Sequence, residues 1–114
     1  MKLVNRTKNI ILAEEVVKAT SFWQRAKGLL GKASLAKNST LWILRCNSIH
    51  TFFMKFPIDV VFVDKNLRVC TVMTNIKPWR LASSLWRAHS VFEFASPQPV
   101  LKQIEKGDML YVGD

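Results

Sequence analysis

The 114-residue sequence has few cysteines and no long apolar run. Its two cysteines, Cys46 and Cys70, cannot build the disulfide framework that holds many small secreted domains together. No segment approaches the roughly 18 consecutive apolar residues that a membrane-spanning helix requires. The apolar stretch after the basic N-terminus stops at Glu14 and Glu15, which is too short for the hydrophobic region of a secretory signal. We therefore expect a cytoplasmic protein with no transmembrane segment.

Acidic residues are also scarce, since eight Asp and Glu stand against 17 Lys and Arg and leave a formal net charge of +9. No acid lies between Glu15 and Asp59 or between Asp64 and Glu93, although Lys and Arg recur through both spans. Such a surface attracts anions, whether phosphate ligands, nucleic acid or acidic lipid headgroups. The alternative is a solvated cationic face with no specific partner.

The composition favours one folded domain that spans residues 1–114. Hydrophobic residues make up 49% of the chain, and four tryptophans and seven phenylalanines supply enough apolar area to close a single core.

Apolar and β-branched runs predict strands over residues 10–19, 41–44, 58–63, 67–73, 90–94 and 109–112. Residues 58–63 form the strongest of these strands. Pro57 precedes that run, the turn residues Asp64-Lys65-Asn66 follow it, and apolar side chains occupy both of its faces. This pattern indicates a central strand that is covered on two sides and continues as a hairpin into the next strand.

Helical signals are fewer than strand signals. Ser21 and Gln24 form a capping box ahead of an apolar stripe, and Gly31 is a natural end for that helix. A helical turn is also expected within residues 97–105, beginning after the prolines, with Leu101 and Ile104 directed inward. The predicted fold class is α+β, with a mostly antiparallel β-sheet or a partly closed small barrel and one or two short helices.

Several residues of this chain resemble the family catalogued as domain of unknown function 192. The resemblance is carried by residues 49–64, by 25–31 before them, and by 77–80 and 107–108 after them. It covers essentially the whole chain and implies a small, compact, β-rich domain. The family has no established activity. Residues 94–99 depart from the family pattern, which has a glycine-bearing turn at this point.

The segment between His50 and Asp59 places polar groups among apolar ones. An unpaired carboxylate at Asp59 would be costly to bury, so we expect it to have a partner. One interpretation is structural, with the carboxylate holding its own loop through hydrogen bonds to backbone amides. Another is a His50–Asp59 dyad that transfers protons, and a third is ligand binding without chemistry.

Residues 77–80, Lys-Pro-Trp-Arg, interrupt the strand pattern with an aromatic ring between two cations. Interleaved aromatic and basic residues can stack on a base or hold an anionic ring. The simpler interpretation, which we favour, is that the Trp79 indole caps one end of the barrel while Lys77 and Arg80 face water.

Cysteine and histidine chemistry has only weak support in this sequence. Cys46, His50, Cys70 and His89 are zinc-ligand types, but no pair has the tight spacing that structural zinc sites use. We expect neither a metal nor a cofactor. Buried thiols are the simplest interpretation of both cysteines.

The sequence favours a binding module over an enzyme. We expect a pocket between the residue 50–59 segment and the 77–80 loop, for a small anionic ligand or for an acidic protein or envelope partner. The predicted ligand-binding residues are His50, Thr51, Met54, Asp59, Lys77, Trp79 and Arg80.

Two other functions remain open at this stage. One is nucleic-acid binding through the positive field, with Trp23, Trp42, Trp79 or Trp86 as stacking platforms. The least favoured is an enzyme with His50 as acid/base, Asp59 as the orienting acid and Cys46 as a remote nucleophile.

Overall fold

The computed structural model describes residues 1–19, 38–51, 56–84 and 88–114. Within these ranges the chain forms ten strands and one short 3₁₀ helix at Pro99–Gln103. The strands are β1 (Lys2–Asn5), β2 (Ile10–Ala13), β3 (Glu15–Ala19), β4 (Ser39–Leu44), β5 (Ser48–His50), β6 (Ile58–Val63), β7 (Val69–Ile76), β8 (Leu81–Ser83), β9 (Ser90–Ala95) and β10 (Leu110–Gly113).

The strands form three sheets. A central sheet has five strands in the order β3-β4-β9-β6-β7, a terminal sheet has the order β10-β1-β2, and a small sheet pairs β5 with β8. Strands β3 and β4 are parallel, and the other pairs of these strands are antiparallel. The expected mostly antiparallel β architecture is therefore confirmed. Among the described strands the sheets are open, however, so the partly closed barrel is not the arrangement found there.

Strand β6 lies inside the central sheet, between β9 and β7. All six of its residues are buried, as expected for an apolar strand covered on both faces. Its hairpin to β7 is held at the turn by Asp64, whose Oδ1 accepts hydrogen bonds from the amides of Asn66 and Arg68 at 2.8 and 3.0 Å. The central strand and its hairpin are both confirmed.

One face of the central sheet contributes to what we call the first cluster. Alternate residues of β6 and β9 point to this face, among them Val61, Val63, Phe92 and Phe94. The terminal sheet packs against them through residues such as Leu3 and Leu110, and Leu101 and Ile104 of the helical turn and its end complete the cluster. The predicted inward direction of Leu101 and Ile104 is confirmed.

The opposite face contributes to the second cluster, which includes Ile58, Val60, Phe62 and Val91. The small sheet covers part of this face through Ile49 of β5 and Ala82 of β8. Each face of the central sheet therefore carries its own apolar layer. A charged residue on either face is placed in a nonpolar environment.

The predicted strand over residues 10–19 is in fact two strands. At Glu14 the chain leaves the terminal sheet, and the amides of Glu14 and Glu15 both donate hydrogen bonds to the carbonyl of Asn38, at 2.9 and 3.2 Å. Glu14 is exposed and pairs with Lys2 at 3.7 Å. The hydrogen bonds to Asn38 mark the point where the chain passes from the terminal sheet into the central sheet.

The expected helix over residues 21–31 lies outside the described residues. In the described ranges the helical content is the single 3₁₀ turn, so the α component of the predicted α+β class is not supported there. None of the helices in these ranges is long and apolar enough to cross a membrane.

Candidate functional site

Thr51 joins the end of β5 to the 77–80 loop. Its amide donates to the carbonyl of Arg80 at 2.9 Å, and its carbonyl accepts from the amide of Trp79 at 3.0 Å. Its hydroxyl Oγ1 donates to the carbonyl of Lys77 at 2.6 Å and accepts from the amide of Arg80 at 2.8 Å. Thr51 is fully buried. This one residue therefore fixes the path of the loop on both sides of Trp79.

The loop conformation exposes the aromatic ring. Trp79 has φ of 66°, in the left-handed region that residues other than glycine rarely adopt. Trp79 is 56% exposed, so its indole does not form the cap that the sequence favoured. Lys77 and Arg80 on either side of it are also exposed.

His50 lies beside this loop on β5. It pairs with Leu81 of β8, so both side chains lie on the face of the small sheet that points away from the second cluster. Leu81 is 76% exposed, so its side chain is largely accessible to solvent. We refer to His50, Lys77, Trp79, Arg80 and Leu81 as the candidate binding surface.

Leu81 was missed by the sequence reasoning. Its exposure depends on which face of β8 points outward, and this is set by the pairing of Ala82 with Ile49. A three-residue strand is too short for its sequence alone to show which side is buried.

Asp59 lies in β6 and is 2% exposed. Its Oδ1 accepts a hydrogen bond from the amide of Asn75 at 2.7 Å, and its Oδ2 accepts one from the amide of Gln98 at 3.0 Å. The structural interpretation anticipated backbone amides as partners but placed them in the residue's own loop. The carboxylate instead ties β6 to the irregular end of β7 and to the segment after β9.

His50 and Asp59 do not meet. The alternation along β6 places Asp59 on the face of Val61 and Val63, in the first cluster, whereas the small sheet lies against the second cluster. The two side chains are therefore on opposite sides of the central sheet. The hydrogen bonds of the Asp59 carboxylate go to Asn75 and Gln98, so the proposed dyad is not formed. Met54 lies outside the described residues.

Cys46 and Cys70 both occur as thiols. The Cys46 thiol donates to the carbonyl of Ser48 at 2.8 Å, and Cys70 is a second half-buried thiol. In the described ranges, the His, Cys, Asp and Glu side chains form no group of three that could hold a metal ion.

Glu93 is the most unusual ionisable group in the described structure, and the sequence reasoning missed it. It lies in β9, the middle strand of the five-stranded central sheet, between Leu41 of β4 and Val60 of β6. The residue is 5% exposed, and burial raises the pKa of its carboxyl to about 8. Within the described ranges its carboxyl has no hydrogen-bond partner. One signal could have revealed it: an acid within a run of otherwise apolar residues, 91–95.

We expect Thr51→Val to loosen the 77–80 loop while preserving the shape of the buried side chain. The change removes the hydroxyl that bonds Lys77 and Arg80, so the free energy of unfolding should fall by about 2 kcal/mol. Urea denaturation measures this change. Thr51→Ser keeps the hydroxyl and is the matched control. Equal losses in the two variants would show that packing, not the hydroxyl, matters here.

The family comparison agrees with the resemblance seen in the sequence. The model of domain of unknown function 192, described as "Uncharacterized ACR", matches residues 3–112. The chain belongs to this family. A UPF0127 protein of Pyrococcus horikoshii is 43% identical to this family member over 96 residues, which are 80% of this chain and 81% of that protein. A UPF0127 protein of Thermococcus kodakarensis is 32% identical over 118 residues, covering 95% of this chain and 71% of that protein.

Solved structures share the fold of this member of the domain of unknown function 192 family. A crystal structure of a protein of unknown function from Novosphingobium aromaticivorans superposes with a TM-score of 0.81 at 18% identity, over 97% of this chain and 82% of that chain. A Sinorhizobium meliloti crystal structure also gives 0.81, at 19% identity, over 96% and 89% of the two chains. At these identities the likeness establishes the fold alone.

Proposed function

We propose that this protein is a non-enzymatic binding module whose candidate binding surface docks an acidic segment of a partner protein. The observation that carries the proposal is the exposure of Trp79 and Leu81 next to Lys77 and Arg80. Exposed large apolar side chains grouped with cations are typical of interaction surfaces.

The loop is rigid enough to act as an anchor. Backbone hydrogen bonds and the buried Thr51 hydroxyl hold Trp79 in its left-handed conformation before any partner arrives. A preorganised side chain loses less conformational entropy on binding. Trp and Arg are also the residues that most often carry the binding energy of protein interfaces.

The charge distribution favours an acidic partner. The 77–80 loop lies within the span between Asp64 and Glu93, which contains no acid. The chain as a whole carries +9, so its field accelerates encounters with anionic partners at low salt.

Two of the predicted ligand-binding residues, Thr51 and Asp59, hold the backbone that carries this surface. Thr51 holds the loop, and Asp59 fixes the end of β7 at Asn75, two residues before Lys77. In this proposal they are positioning residues, whereas His50, Lys77, Trp79 and Arg80 contact the partner. The cytoplasm is the compartment that we propose, because Cys46 and Cys70 are both thiols.

Trp79 also favours a second candidate, single-stranded nucleic acid, because an exposed indole between two cations can stack on a base. Trp42 does not share this role: it is half-buried and stacks on Phe92 with ring centroids 5.2 Å apart. Trp23 and Trp86 lie outside the described residues.

A fluorescence titration tests the proposal with a labelled peptide of repeating Glu-Glu-Leu. We expect Trp79→Ala and Arg80→Ala each to weaken peptide binding about tenfold, or about 1.4 kcal/mol. The matched controls are Lys65→Ala and Lys106→Ala, which remove exposed cations elsewhere and should change affinity about twofold at most.

Parallel titrations with inorganic phosphate and with single-stranded oligothymidylate identify the ligand class. Preferential binding of oligothymidylate, lost in Trp79→Ala, would favour the nucleic-acid candidate. Binding of phosphate alone would favour a small anionic ligand. Peptide binding that weakens equally in all four variants would refute the proposal that a defined surface binds the peptide. It would show that the peptide is attracted only by the overall positive charge of the protein.

A further inference from the structure

Strand β8 pairs with β5 along one edge, and no other described strand neighbours its second edge, which we call the open edge. Hydrogen bonds in an antiparallel pair alternate, so only every second residue directs its amide and carbonyl to the partner strand. The amide of Thr51 donates to the carbonyl of Arg80 at 2.9 Å, and the amide of Ser84 donates to the carbonyl of Asn47 at 3.0 Å. These two bonds fix which residues of β8 face β5 and which face the open edge.

The alternation directs the backbone of Leu81 to the open edge. Leu81 lies opposite His50, one residue beyond the bonded Thr51 and Arg80, so its amide and carbonyl both point away from β5. Neither group has a hydrogen-bond partner in the described ranges. The residue is 76% exposed, so a second chain can reach both groups. An amide and a carbonyl side by side on an exposed edge can pair with one residue of an extended chain.

The charges beside the open edge favour an acidic segment over a second copy of this chain. Lys77 and Arg80 are exposed in the loop that leads into β8, and no acid lies in the sequence between Asp64 and Glu93. Two copies joined at their open edges would bring these cations together, which is unfavourable. An acidic segment instead meets them with opposite charge, which speeds the encounter and favours one register.

We propose that the acidic segment of the proposed function, on which this inference rests, binds as an added antiparallel strand along the open edge of β8. One residue of the segment donates its amide to the Leu81 carbonyl and accepts a hydrogen bond from the Leu81 amide. Directly opposed side chains of an antiparallel pair lie on the same face, so an apolar side chain at that residue contacts Leu81. The partner is therefore recognised as an extended segment with an apolar residue among acids.

Backbone methylation of a peptide tests the added strand. The probe is Glu-Glu-Glu-Leu-Glu-Glu-Glu, whose single leucine fixes the register. N-methylation of that leucine removes the amide hydrogen that the Leu81 carbonyl accepts, so a fluorescence titration should show about tenfold or more loss of affinity. N-methylation of the following glutamate, whose amide points away from β8, is the matched control and should change affinity about twofold at most.

The outcomes of this titration separate the added strand from the proposed function. If the two methylated peptides bind with equal affinity, the added strand is overturned, whereas weaker binding by Trp79→Ala and Arg80→Ala still supports the proposed function. Failure of the unmodified peptide to bind would overturn both proposals.

Amide hydrogen exchange at Leu81, measured by NMR, gives a second readout. Saturation with the unmodified peptide should slow exchange of this amide about tenfold or more, because the amide becomes hydrogen-bonded. The amide of Lys65, in the exposed turn after β6, is the control and should be unaffected. Unchanged exchange at Leu81 in the saturated complex would overturn the added strand. Dimers detected by sedimentation without peptide, with slow Leu81 exchange, would overturn the acidic occupant and assign the open edge to a second copy.

Discussion

Glu93→Gln should raise the free energy of unfolding at pH 7 by roughly 3 kcal/mol. In the unfolded chain the carboxyl ionises near its ordinary pKa of 4.5, but in the folded protein it keeps its proton up to about pH 8. Ionisation therefore stabilises the unfolded wild type at pH 7. Glutamine cannot ionise, so the substitution removes that advantage from the unfolded state.

The same substitution should flatten the dependence of stability on pH. Between about pH 4.5 and 8 the folded wild type binds one more proton at Glu93 than the unfolded chain. Its unfolding free energy should consequently fall with rising pH, by about 1.4 kcal/mol per pH unit from this group, and level off above pH 8. Urea denaturation across this range measures the difference between variant and wild type. Glu15→Gln removes an exposed acid and is the control. If both variants follow the wild-type curve, the acid is not buried in the folded protein.

Asp59→Ala should lower the free energy of unfolding by roughly 3–5 kcal/mol. The change removes two charge-assisted hydrogen bonds and leaves the amides of Asn75 and Gln98 without their acceptor. Because Asp59 is 2% exposed, water cannot readily replace the carboxylate. The midpoint and slope of urea unfolding measure this loss.

Asp64→Ala is a matched control for Asp59→Ala. Its carboxylate also accepts two backbone amides at similar distances, but at a half-exposed turn. We expect a loss of about 1 kcal/mol there, since water can take over the acceptor role. Equal losses in the two variants would mean that burial adds nothing to the role of Asp59.

A strand could be predicted from the sequence where its own apolar residues and the turn residues beside it both mark it. Residues 58–63 are all apolar or β-branched except Asp59 and have turn signals at both ends, and the structure confirms them as a central strand. Strands β1 and β5 were missed because they are short and have mixed patterns. Their existence depends on partners far along the chain, since Lys2 pairs with Gly113 and His50 with Leu81.

The candidate site was predictable only in part. The structure brings His50 and Thr51 next to the 77–80 loop, as the sequence pattern suggested. It separates Asp59 from them, because one residue of register in β6 decides which face of the sheet a side chain occupies. Glu93 was not recognised because a single acid in a short strand is typical of a solvent-exposed position, whereas both faces of β9 are buried.

Strand β9 gives residues to both apolar layers, Phe92 and Phe94 to one side and Val91 to the other. It is also bonded to a neighbouring strand along each of its edges. Unfolding of either apolar layer therefore disrupts this shared strand. We infer that the two layers unfold as one cooperative unit. Local fluctuations should instead be concentrated in segments that only one layer holds and that lie at a sheet edge, such as strand β2 of the terminal sheet.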